Sequence, residues 1–172
     1  MPEAAESRPD LPPVSYDWSL AFENETTRKG LAYWNELRGA HALPSVKDFS
    51  PRGMKDFISN VSLIESRVRE DGKIDYSVRL TGERARERYG AVSHRKLQEF
   101  LPLEMERRWR EALELVRSAG APLRVHGRMS YADSTWLYQE TLLAPLNDGA
   151  GTVGMFLLVT AWWPFNPGAG PS

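Results

Sequence analysis

Three histidines, His41, His94 and His126, and no cysteine make up the starting inventory for chemistry. Without a thiol there is no cysteine nucleophile, no disulfide and no thiolate metal ligand. The histidines share no ligand spacing, so the sequence does not call for a structural metal. The candidates for acid–base work are Glu65, Glu140, His126 and Asp133. Glu140 stands out because it lies inside an apolar run, residues 136–146, where burial would raise the pKa of a carboxyl group. Charged groups are seldom buried alone, which favours pairing, with Arg79 or Arg128, or an exposed or interfacial position. No serine stands in a nucleophile elbow and no glycine-rich phosphate loop follows a strand. Arg84, Arg86, Arg88, Arg95 and Lys96 could meet a phosphate or an acidic partner. Glu83 and Glu87 are interleaved with them, however, and the pattern reads as a solvated helix face. No catalytic residue is assigned.

The elements that would position these groups belong to a chain of 172 residues, enough for one domain with tails. A hydrophobic content of 41% supports a full core, and a formal net charge of −1 gives no basic field for nucleic acid. The first residues carry no apolar stretch, and the longest apolar run, 153–163, is too short for a membrane span of about 20 residues. The expectation is a cytoplasmic protein without membrane insertion.

Residues 1–15 read as a disordered, Pro/Glu/Ser-rich tail, and residues 164–172 as a flexible one. Between them, 16–58 forms an N-terminal arm with helices, and 59–163 the core domain. Tyr16, Trp18, Leu20 and Phe22 alternate as a strand or extended arm. Residues 26–38 read as a helix with Thr26 as its N-cap, Leu31, Trp34 and Leu37 on one face, and Gly39 as its stop. Ser50-Pro51 opens a short helix to about Ile58. Strands at 61–68 and 74–80 are joined by a turn at Asp71-Gly72, and a short charged helix ends near Tyr89-Gly90. A helical turn at 97–100 precedes the clearest helix, 103–119. There Met105, Trp109, Ala112, Leu113 and Val116 share a face, with i,i+4 pairs Glu106–Arg110 and Arg110–Glu114 on the other side. Three strands follow, 123–131, 135–146 and 152–162. In the last, Met155, Leu157 and Val159 alternate with Phe156, Leu158 and Trp162, so both of its faces must be covered.

Two strands, short helices, a long helix and three antiparallel strands make an α+β order. The segments LAYWNELRGAHALPSVKDFSPRGMKDFISNVSLIE at 31–65 and DYSVRLTGERARERYG at 75–90 add a more specific signal. Through Tyr33-Trp34, Leu37-Arg38, Leu43-Pro44-Ser45, Asp48 with Pro51, and Tyr76, Arg79 and Gly82, the chain resembles the alphaproteobacterial stand-alone PAS-fold family, long catalogued as a domain of unknown function. One departure is the segment Ala91 to Leu97, where relatives carry a Leu-Thr-Gly-Arg type turn beside the usual cavity.

The resemblance implies a five-stranded antiparallel sheet with 61–68 between the second and last strands. Helices lie on one face, and the N-terminal helix on or near the other. It implies a sensor or adaptor in bacterial signal transduction, not an enzyme, acting through protein–protein contacts with signalling proteins or as a homodimer, and gated by a non-covalent small ligand. Covalent flavin and coumaryl chromophores need a cysteine, and haem needs a histidine near the long helix, where His94 is the nearest; no such cofactor is expected. Arg79, Trp109, Leu113, Tyr138 and Glu140 are the expected ligand-facing residues. Leu31, Trp34, Leu37 and Trp18 are the expected cover or interface. The rival readings are a small enzyme on a cone-shaped α+β fold, using His126 and Asp133, and a ligand-free scaffold.

Overall fold

The alternation in 153–164 dictates two cores rather than one. In a computed structural model, which describes residues 13–129, 137–149 and 151–166, a single antiparallel sheet separates them. Its strands are β1 (Val14–Asp17), β2 (Val61–Val68), β3 (Ile74–Thr81), β4 (Leu123–Arg128), β5 (Leu137–Asn147) and β6 (Val153–Pro164), in the order β1-β4-β5-β6-β2-β3. The strand at 61–68 pairs with both β3 and β6, as its place in the order demands. The sheet has six strands rather than five, because Val14–Asp17 adds to the free edge of β4 with Tyr16 opposite Val125. Val14 and Ser15, read as tail, are therefore part of the sheet. Beyond Asp17 the arm turns: its carboxylate accepts from the backbone N–H of Ser19 and Ala21 and from the Ser19 hydroxyl, which ends the strand well before Phe22.

The inner core lies under three helices, α2 (Glu83–Tyr89), α3 (Leu97–Phe100) and α4 (Leu103–Ala119). From α4, Met105, Ala112, Leu113 and Val116 pack on Ile64, Leu143, Phe156 and Leu158. Glu106 pairs with Arg110 at 2.8 Å as its i,i+4 spacing suggests. The Arg110–Glu114 pair is replaced: Arg110 donates to the Ile74 carbonyl, while Glu114 accepts from the Tyr76 hydroxyl. The divergent segment after Tyr89-Gly90 runs along the open edge of β3. Val78 and residues 94–95 exchange backbone hydrogen bonds there, so this edge is blocked at its middle.

The outer core lies under α1 (Glu25–Arg38) and the turns after it. The N-cap is Asn24, two residues before the expected Thr26, and Gly39 ends the helix at φ +54. Ser50-Pro51 opens a run of turns and a short 3-10 segment, Ile58–Asn60, instead of an α-helix. The buried stripe of α1 is Thr27, Gly30 and Trp34; Leu31 packs at its flank and Leu37 is only partly buried. Small residues at 27 and 30 let the helix lie close on the sheet. A Cβ on Gly30 would come within 2.8 Å of the Val159 side chain. Trp34 fills the far end, its Nε1 donating to the Pro145 carbonyl at 3.0 Å. Trp18, expected in the cover, is 47% exposed just after β1 and belongs to neither core.

The cover is thus supplied within the chain. Trp34→Ala removes a fully buried indole and should lower unfolding free energy by about 3–5 kcal/mol, read by denaturant titration. Gly30→Ala, which on an exposed helix gains up to about 1 kcal/mol, should here be destabilising because overpacking costs about 1–3 kcal/mol. A G30A protein as stable as the parent would show that the close approach carries no constraint.

Candidate functional site

Pleating places neighbouring residues of β5 on opposite faces, so Gln139 looks inward and Glu140 outward. These two residues organise the two candidate sites.

On the inner side, Gln139 Oε1 accepts from the Tyr89 hydroxyl at 3.0 Å and from Trp162 Nε1 at 2.9 Å. An indole nitrogen only donates, which fixes the amide with its oxygen toward both partners. Next to it, the hydroxyls of Thr141 and Thr160 face each other across the ladder at 2.9 Å, buried. This polar row forms the floor of a space beneath α2–α4 whose remaining lining is mostly apolar, with Arg108, His126 and Arg128 on the β4 side. Two cavities of about 50 and 60 Å³ remain there, and Tyr89 and Trp109 line both. One also meets β1 and β4 through Tyr16 and Gly127; the other is walled by Ile64, Phe100 and Leu101.

On the outer side, Glu140 is fully buried and its two oxygens take four donors. Oε2 accepts from the Glu23 N–H (3.0 Å) and Arg124 Nε (2.7 Å), and Oε1 from the Asn24 N–H (3.0 Å) and the Thr27 hydroxyl (2.6 Å). Glu140 therefore binds the first turn of α1, where the helix dipole also favours negative charge. Arg124, itself buried, lies within 3.6 Å of Asp17 and 3.7 Å of Glu23, so it joins β1, the helix entry and β5. Burial pushes the Glu140 carboxyl upward, but the hydrogen bonds from Glu23, Thr27, Asn24 and Arg124 outweigh it and hold the pKa below the ordinary value. Beside this group, His126 Nδ1 and the Tyr138 hydroxyl share a hydrogen bond, and the Tyr138 ring packs 5.1 Å from Trp163. Burial and the Arg124 charge lower the His126 pKa, which keeps the imidazole neutral, and burial raises that of Tyr138.

The five expected ligand-facing residues are not brought together. Trp109 reaches both cavities. Leu113 is fully buried packing behind them. Tyr138 and Glu140 lie on the opposite face, and Glu140 pairs with Arg124 rather than with Arg79 or Arg128. Arg79 has a side chain 60% exposed and pairs with Glu65 in an open polar cleft that also contains Asp75, His94 and Lys96. His41 and His94 are exposed on turns, and Asp133 and Trp136 lie outside the described residues. Among the described residues no cluster of His, Asp and Glu could hold a metal ion, and no helix is long and apolar enough to cross a membrane. The residues that sequence reasoning missed are Gln139, Tyr89 and Arg124. Their one signal was Gln139-Glu140, two polar residues in succession within an apolar strand.

A family model described as the PAS domain matches residues 22–159. The chain belongs to that family. No curated protein matches it. A solved RNA-binding Light-Oxygen-Voltage receptor is similar at 16% identity and a TM-score of 0.44, over 64% of this chain and 32% of that one, so the chain spans about a third of that receptor's length. The PAS fold replaces the cone-shaped reading, and the inner cavities lie between its sheet and its helices.

The Glu140 group makes a prediction about acid. Its folded pKa is depressed, as is that of Asp17, chiefly through the Ser19 hydroxyl. The stability they contribute is fully present above the ordinary values, 4.5 and 3.8, and is lost as pH falls through the lower folded ones. Glu140→Ala leaves Arg124 buried without its closest partner and should cost about 3–5 kcal/mol at pH 7. The deficit relative to the parent should shrink below pH 4, read by urea titrations at both pH values.

Proposed function

We propose that this PAS domain is a sensor or adaptor in bacterial signal transduction, working in the cytoplasm through protein–protein contacts that a small non-covalent ligand gates. The observation that carries the reading is the succession Gln139-Glu140. One residue lines one of the inner cavities and holds Tyr89 and Trp162, and the next holds the first turn of α1 on the outer face. A ligand that shifts the inner amide shifts the same stretch of β5 backbone that carries the outer carboxylate. Loosening the α1 entry would change the outer surface offered to a signalling partner or a second copy, by the differential affinity of the ligand for the two states. The likeness of 31–65 to the alphaproteobacterial stand-alone branch supports the bacterial setting. Gln139, Thr141, Thr160 and Glu140 are all engaged in structural hydrogen bonds, which supports a non-catalytic role.

The small size of the cavities favours a second reading, a scaffold that binds no ligand. The two part on the behaviour of α1. Gln139→Leu removes the inner acceptor and leaves Glu140 in place. On the sensor reading it should speed amide hydrogen exchange in residues 23–30 at least fivefold while protection in α4 stays unchanged. Equal loss of protection throughout, or none at residues 23–30, would rule out the proposed coupling and leave the scaffold.

A further inference from the structure

Two side chains, Tyr89 and Trp109, are shared by the walls of the two inner cavities. Tyr89 lines both, is only half-buried, and reaches Gln139 through its hydroxyl. It is the last residue of α2, a helix of seven residues in which Ala85 alone is buried and whose N-cap, Gly82, offers no side-chain hydrogen bond. Gly90 follows at φ +83, a backbone conformation that side-chain-bearing residues rarely adopt. A lightly anchored helix end beside a glycine is where local opening is cheapest. Trp162 keeps its own hydrogen bond to Gln139 when Tyr89 leaves, so the amide oxygen stays aimed at the vacated space.

Resting on the sensor reading, we propose that Tyr89 is a built-in stand-in for the ligand, and that the inner site takes a neutral, planar aromatic molecule of the phenol class, whose O–H or N–H replaces the Tyr89 hydroxyl on Gln139 Oε1. Neither cavity alone reaches the ~150 Å³ that accommodates benzene, but joined through the volume of the Tyr89 ring they form a one-ring space. The wall is flat and apolar, with Trp109, Phe100 and Leu101, which suits a ring. The larger cavity has no Asp, Glu, Lys, Arg or His in its lining, so a charged group there would be desolvated without a partner, and the ring belongs in it; the smaller cavity, which holds Gln139 together with Arg108, His126 and Arg128, takes the polar end. A non-donor ring would leave the second lone pair of Gln139 unmet, and this selects a donor over a plain hydrocarbon. The closed plug lowers apparent affinity by the fraction of molecules that are open.

The test is calorimetric titration with phenol and with benzene. Tyr89→Ala, checked for a cooperative melt, should bind phenol at least tenfold more tightly than the parent. It should also prefer phenol over benzene by at least fivefold. In the double variant Y89A/Q139L that preference should vanish while benzene binding persists. If Y89A does not melt cooperatively, Tyr89→Val carries the same expectations. A folded variant that binds phenol no better than the parent, or that binds phenol and benzene equally, overturns the inference. Faster exchange at residues 23–30 in Gln139→Leu alone would then still stand, so a failure here is distinguishable from a failure of the sensor reading.

Discussion

A buried carboxylate must find donors for both its oxygens, and in this PAS domain that requirement fixes where the N-terminal third of the chain goes. Glu140 sits in the third strand from the β1 edge of the sheet, where water cannot serve it. Two backbone N–H groups from the entry of α1, the Thr27 hydroxyl and the Arg124 guanidinium serve it instead. The same guanidinium draws in Asp17 and Glu23, so the turn after β1 and the start of α1 are held by one charge. Apolar contact alone could not do this. Leu31 and Trp34 would accept a range of positions on a flat aliphatic sheet, whereas a carboxylate with four donors accepts one. The axial position of α1, and hence the fit of Gly30 over Val159, follows from a polar group at one end.

The inner face is arranged by different physics. The polar groups of its sheet floor are neutral, and they satisfy one another: Thr141 with Thr160, Tyr89 and Trp162 with Gln139. Neutral networks of this kind cost less to open than a buried ion pair, because no charge is stranded. The domain therefore has a more tightly held outer face and a softer inner one, on the two sides of one sheet. That division of labour suits a fold in which one side accommodates a guest and the other displays a surface.

Much of the architecture was legible in the residues. The 17-residue helix α4, the hairpin at Asp71-Gly72 and the two apolar faces of β6 are set by local periodicity and turn chemistry, which sequence patterns carry directly. The strand Val14–Asp17 was legible only in part: alternation from Tyr16 suggested a strand or arm, but its start at Val14 and its end at Asp17 depend on pairing with β4, which no local pattern carries. Ligand-facing residues were misread for a related reason. Tyr138 and Glu140 were placed by strand membership, but which face each takes depends on register with β4 and β6, and a one-residue difference reverses the answer. Arg124 was invisible as a hub because its three carboxylates lie at positions 17, 23 and 140, and nothing local links them.

The docking surface of α1 has a consequence for synthesis. The helix leaves the ribosome early, but the strands it rests on, β5 and β6, are the last to be made. The central strand β2 likewise waits for β6, and β1 for β4. Until about residue 160 has emerged, Trp34 and the apolar residues of β2 have no native partner, and the nascent chain carries them unsheltered. Folding is then closer to a single late closure than to stepwise growth, because the pairs β1 with β4 and β2 with β6 join distant parts of the chain. A translational pause between β4 and β6 would prolong the most vulnerable interval in the life of the molecule.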